Sequence, residues 1–247
     1  MSTLVLVHGA WQTAGTWDLV APKLQARGHS VTVPLLTGLE NDERQLSSSI
    51  ELKTHIDDVA AALDRVDLRD IVLVGHGYAG MIITGVAESA SSRLRRLVYV
   101  DAFVPSDGQS AMDLLPGGIA QKLRSQANNA GDGWRLAAGE RELDLWGLDP
   151  GHERAFVRAR LSDFSLRCFE EPVRLPRNSA AKVHRTYIAC LSGSYLVRPV
   201  VESIGDRLEQ EGWTYHELPT GHFWHVEMPD AFVSKLLEDE GSNTART

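Results

Sequence analysis

Two cysteines, Cys168 and Cys190, are all the chain has. They supply neither a disulfide framework nor the paired spacing of a thiolate metal site, so no metal is expected. Positive charge is also short: 25 Lys and Arg stand against 33 Asp and Glu, for a formal net charge of -8. Without a basic stripe to neutralise phosphates, a nucleic-acid partner is disfavoured. The one local basic cluster, Arg93, Arg95 and Arg96, reads as a solvated helix end. No apolar run reaches membrane-spanning length, and Met1 leads into Thr3-Leu4-Val5-Leu6-Val7 without a basic segment or cleavage site. The expectation is a soluble cytoplasmic protein with no membrane partner.

What is present is an ordinary globular balance over 247 residues, 43% hydrophobic and 23% charged. That suits one domain of the larger α/β kind, which needs no covalent staples. Short apolar runs bounded by turn residues alternate with helical patterns, the signature of a mostly parallel sheet covered on both faces. Strands are expected near 3–7, 30–34, 71–75, 97–101, 186–190 and 214–218, six in all. Helices are expected near 16–26, 52–66, 78–90, 200–211 and 229–240. The alternation breaks between 105 and 184, a stretch rich in glycine and asparagine with two tryptophans, Trp134 and Trp146. About 80 residues is too long for a bare loop. It reads as a mainly helical lid inserted into a core formed by 1–104 and 185–240, followed by a frayed tail at 241–247.

The most informative segment is Ile71-Val72-Leu73-Val74-Gly75-His76-Gly77-Tyr78-Ala79-Gly80, followed by a helical run. Strand, tight turn and helix is the setting of a nucleophile elbow. The small flanking residues are in place at Gly75, Ala79 and Gly80, but the position of the nucleophile is Gly77, which has no oxygen to attack with. A plain strand–helix glycine turn is the bland alternative. Two further segments speak against it. Leu6-Val7-His8-Gly9-Ala10-Trp11 ends the first strand with a His-Gly turn, which in this setting offers a backbone N–H to an oxyanion; Leu218-Pro219-Thr220-Gly221-His222 places a histidine where a general base belongs.

With Arg96–Pro105 and Asp107-Gly108-Gln109-Ser110, these segments resemble the small α/β-hydrolase family of plant methyl esterases, hydroxynitrile lyases and bacterial esterase-like relatives. The resemblance implies the α/β-hydrolase fold and no cofactor. It matches His222 to the catalytic histidine, Ala10 and Tyr78 to the oxyanion-hole donors, and Gly77 to the catalytic serine. The acid also departs from the pattern, because Ala189-Cys190-Leu191-Ser192-Gly193-Ser194-Tyr195 carries no carboxylate. Asp101, after the strand that follows the elbow strand, can serve the same histidine, or it only caps that strand; Asp107 and Glu227 are weaker candidates.

His76 reads as a packed residue of the elbow and is grouped with Trp11, Trp134, Trp146 and Trp224 as substrate-binding candidates. His225 is expected to line the pocket or face solvent, since His-x-x-His without a third ligand makes a poor metal site. Three functions stay open. One is an enzyme without a covalent intermediate, with His222 as acid or base in lyase, cyclase or rearrangement chemistry on a small apolar molecule. Another is an ester or amide hydrolase whose serine at position 77 has been exchanged for glycine. The last is a non-catalytic binding protein for a small molecule. A homodimer is left open.

Overall fold

The computed structural model describes residues 1–40, 46–65, 69–192, 204–205, 208 and 210–238. Six parallel strands form the central sheet: β1 (Thr3–Val7), β2 (Ser30–Thr32), β3 (Ile71–His76), β4 (Leu94–Val100), β7 (His184–Cys190) and β8 (Thr214–Leu218). Their order is β2-β1-β3-β4-β7-β8. The chain leaves β1 toward one edge and returns on its other side as β3, so the order reverses between β1 and β3. The carboxyl ends of two such strands open a crevice, which is where ligands bind in open α/β sheets. The expected strands are all present, with β4 and β7 each starting earlier.

Side chains alternate across the sheet as strand geometry requires. Val5, Val7, Ile71 and Leu73 join one core cluster, while Leu4, Leu6, Val72 and Val74 join the other. Helices α2 (Leu52–Arg65) and α3 (Ala79–Ala90) lie against the first cluster. They approach closely because Gly85 has no side chain: a Cβ there would fall 2.3 Å from Ile56 Cδ1. On the second face, α1 (Ala21–Ala26) packs with α10 (Pro229–Glu238) and the rings of Trp17, Trp224 and Phe232.

Two expectations are corrected. The helix expected at 16–26 is split into a 3-10 turn, Ala14–Leu19, and α1, with Pro22 near the start of the second piece. Proline is at home in a first helical turn and cannot continue an existing one. The basic cluster is no solvated helix end: Arg96 is buried on β4, with its guanidinium donating to the Leu236 carbonyl, and Arg93 pairs with Asp64. The stretch from β4 to β7 is mainly helical. It holds α4 (Ala111–Leu114), α5 (Ile119–Ala130), α6 (Glu140–Leu145), α7 (His152–Arg158) and α8 (Arg167–Glu170), together with a two-stranded antiparallel ladder of β5 (Arg135–Leu136) and β6 (Phe164–Ser165). Most of the expected helix at 200–211, and the tail at 241–247, lie outside the described residues. No helix among the described residues is long and apolar enough to cross a membrane.

Candidate active site

Three turns at the carboxyl ends of β1, β3 and β4 meet in one place, and each holds a residue in the left-handed region. Trp11 has φ 60°, Gly77 57° and Asp101 45°. Two of these are not glycine, so the backbone stores strain at the point where the strands end. Hydrogen bonds fix the turns to one another. Gly77 N–H donates to the Val100 carbonyl at 3.1 Å, and Phe103 N–H donates to the Gly77 carbonyl at 3.1 Å. Asp101 N–H donates to Ile188 at 2.9 Å. The turn after β1 is held by the segment above it, through Ser162 N–H to the Trp11 carbonyl at 2.7 Å and Trp11 Nε1–H to the Leu136 carbonyl at 3.1 Å.

The turn after β8 brings His222 over Gly77. Its Nδ1–H donates to Asp101 Oδ2 at 2.5 Å. Asp101 is thus hydrogen-bonded to the histidine as well as standing at the end of β4. Bonding at Nδ1 leaves the lone pair on Nε2, the tautomer a general base needs. Nε2 lies 3.3 Å from the point where a Cβ on Gly77 would sit. Asp101 is fully buried, and its other oxygen, Oδ1, has no hydrogen-bond partner among the described residues. The weaker acid candidates are occupied elsewhere. Asp107 accepts from Leu175 N–H at 2.6 Å, and Glu227 braces the histidine turn through Thr220 Oγ1 at 2.7 Å and Gly221 N–H at 2.9 Å.

Gly77, His222 and Asp101 line one cavity. Ala10 and Tyr78 line it too, and neither backbone N–H has a main-chain acceptor among the described residues. Apart from Gln12 the remaining wall is apolar, with Trp11, Phe103, Trp146, Phe169 and Phe223 around it and Leu115, Ile119 and Leu123 contributed from between β4 and β7. No serine, threonine, cysteine, lysine or arginine appears among the described residues that line it. The Tyr78 hydroxyl turns away to His55 Nδ1 at 3.3 Å.

The sequence therefore placed His222, Asp101, Gly77, Ala10, Tyr78, Trp11 and Trp146 in one site. Three expected members lie elsewhere. Trp134 does not reach the cavity; it follows α5, and its carbonyl accepts from Leu166 N–H at 2.7 Å. Trp224 is fully buried in the second core cluster, with its ring 3.7 Å from that of Phe232. The turn into α9 (Trp224–Glu227) gives the cavity Phe223 instead. His76 stands behind the site: its Nε2–H donates to the His222 carbonyl at 2.9 Å, and its Nδ1 faces Gln12 Oε1 at 3.1 Å. His225 neither lines the cavity nor meets solvent; it is buried against His76 and Trp224. Burial and the neighbouring His222 and His225 hold His76 well below the usual imidazole range, and burial with His222 pushes His225 down to about 3. Gln12 and the apolar lining residues carry no chemical motif, and only three-dimensional proximity marks them.

Comparison with known proteins agrees with this architecture. The model of the alpha/beta hydrolase family matches residues 4–235. The carbendazim hydrolyzing esterase of Nocardioides sp. (strain SG-4G) is 33% identical over 243 residues, covering 96% of this chain and 98% of that protein. The alpha-hydroxynitrile lyase of Arabidopsis thaliana is 25% identical over 129 residues, 52% of this chain and 48% of that protein. Among solved structures, an extracellular alpha/beta-hydrolase from a Paenibacillus species superposes with a TM-score of 0.82 at 22% identity, covering 96% of this chain and 98% of that one.

Proposed function

The chain belongs to the alpha/beta hydrolase family, and from that premise we propose that it is an enzyme working without a covalent intermediate. In this reading Asp101 and His222 form an acid–base dyad, and the N–H groups of Ala10 and Tyr78 form an oxyanion hole. One observation carries the reading. The dyad is fully assembled, yet it opens on a cavity whose described lining has no hydroxyl or thiol to make a nucleophile, apart from the Tyr78 hydroxyl turned to His55. Losing a serine ends acyl transfer to the protein, but it leaves proton transfer and oxyanion stabilisation in place. Those two effects are worth roughly 10²–10⁴-fold and 10²–10³-fold respectively. Elimination, carbon–carbon cleavage, ring closure and rearrangement next to a carbonyl need nothing more. A wall without lysine or arginine favours a small, neutral, largely apolar substrate. Residues 105–184 act as the lid over that substrate, contributing Leu115, Ile119, Leu123, Trp146 and Phe169.

A second reading rests on its own observation. A side chain at position 77 would leave the backbone beside His222 Nε2, as a triad requires, and the Nocardioides relative is named an esterase. The chain would then be a hydrolase with its serine exchanged for glycine. Fluorophosphonate labelling followed by peptide mass spectrometry separates the two. The non-covalent reading expects no adduct on the chain as it stands, while it cleaves a neutral probe such as mandelonitrile. Gly77→Ser should acquire the label at position 77. An adduct on any serine of the unaltered chain, with loss of turnover, overturns the non-covalent reading. Retention of a bound ligand with no His222-dependent turnover of any probe leaves a binding protein.

A further inference from the structure

The glycines at the elbow are not equivalent. At Gly75 a Cβ would lie 2.8 Å from the Ala79 carbonyl oxygen, and at Gly80 it would lie 2.0 Å from the Phe103 carbonyl oxygen. Backbone presses on both, so no side chain fits. At Gly77 the same construction meets only the Cε1 and Nε2 atoms of His222, at 3.2 and 3.3 Å, with no other residue's atoms within 4 Å apart from its chain neighbours. Packing does not demand glycine there. The space above the turn is bounded only by the basic edge of the catalytic histidine, in close contact, and the φ of 57° strains any residue with a side chain there.

We propose that the recess over Gly77 is a subsite for a small protic molecule, ordinarily water, which the Asp101–His222 dyad activates directly against a bound carbonyl. This rests on the acid–base reading and names its second reactant. The chemistry of the walls selects a hydrogen-bond donor. His222 Nε2 is an acceptor because Nδ1–H is committed to Asp101. Asp101 lines the same cavity, and its buried Oδ1 is an acceptor with no hydrogen-bond partner among the described residues. A buried carboxylate oxygen left unpaired is costly. Ala10 and Tyr78 supply the opposite polarity, two N–H groups for the carbonyl oxygen.

In the step that follows, the water oxygen bonds to the carbonyl carbon as its proton passes to His222 Nε2. The carbonyl oxygen takes up the negative charge between the two N–H groups. Collapse of this intermediate breaks the bond to the leaving group, which takes the proton back from His222. Atoms and charge balance without an acyl-enzyme and without a co-reactant beyond water.

Partitioning between nucleophiles tests this. p-Nitrophenyl acetate is given to the full chain with increasing hydroxylamine, and acetohydroxamate is measured by mass spectrometry above the His222→Ala background. The recess should accept hydroxylamine saturably and refuse O-benzylhydroxylamine. Gly77→Ala, which sets a methyl group into the recess, should lower hydroxamate and acetate formation together by at least tenfold. The size series on the unaltered chain needs no variant, so the test holds even if Gly77→Ala folds poorly. Equal use of the two hydroxylamines, undiminished formation of the two products in Gly77→Ala, or no cleavage above background overturns the subsite. If His222→Ala removes activity while Gly77→Ala keeps it, the subsite fails and the acid–base reading stands. If His222→Ala cleaves at the native rate, the acid–base reading itself fails.

Discussion

At Asp101, conformation and chemistry constrain each other. A φ of 45° is unusual for a residue with a side chain, although aspartate and asparagine tolerate it best. The turn aims one carboxylate oxygen at His222 Nδ1 and leaves the other buried and unpaired. Asp101→Asn therefore suits the backbone and isolates the chemistry. An amide NH2 turned to Nδ1 favours the tautomer with its proton on Nε2, which cannot act as a base. The expected result is a kcat loss of at least about tenfold, with KM and melting temperature little changed. A kcat equal to that of the native chain removes Asp101 from the dyad. The sequence left Asp101 undecided because no spacing along the chain reports that residue 101 and residue 222 touch. Gly77 and His222 were legible because each sits in a turn whose neighbours are themselves informative. Trp224 was not, because adjacent residues in a tight turn face opposite ways, and Phe223 took the cavity side.

At the scale of elements, the strand–turn–helix of β3 and α3 depends on close approach. Gly80→Ala would drive a methyl group into the Phe103 carbonyl, which is backbone and cannot swing aside. A cost of about 3 kcal/mol is expected, the upper end for overpacking. For a chain of this size that is roughly 6–12 °C in melting temperature. Gly77→Ala costs about 1–2 kcal/mol for left-handed backbone, and its methyl group meets only the His222 ring, a side chain that can shift slightly. Scanning calorimetry on the two variants compares them directly. Equal melting temperatures would mean that the turn is not packed as described. The elements of the sheet were readable from the sequence because continuous apolar runs leave little choice once both faces are covered. The ladder of β5 and β6 was not, since two residues per strand carry no period. The split before α1 was missed because the apolar spacing runs through Pro22 unchanged.

On the scale of the whole molecule, three histidines are buried and neutral. Burial pushes His55 down to about 4 and His225 to about 3, and holds His76 well below its usual range. The unfolded chain takes up protons at these positions near pH 6.5, while the folded chain refuses them. Stability is therefore independent of these groups above pH 6.5 and falls as pH drops below it. Each group contributes about 1.4 kcal/mol per pH unit, which for His55 amounts to roughly 3 kcal/mol by pH 4. Urea unfolding between pH 7.5 and 5 should show a midpoint that is level down to about pH 6.5 and drops steadily below it. His225→Gln should make the drop shallower. A flat profile over that window would mean that these side chains are accessible or paired in the folded protein.

The account as a whole rests on His222 moving protons for a reaction that needs no protein nucleophile. Steady-state kinetics of His222→Ala against the native chain, on one neutral cyanohydrin substrate such as mandelonitrile, measures this most directly. The account predicts a fall in kcat of at least about 10²-fold with KM within about threefold, because the loss falls on the transition state. A variant that turns over at the native rate would contradict it.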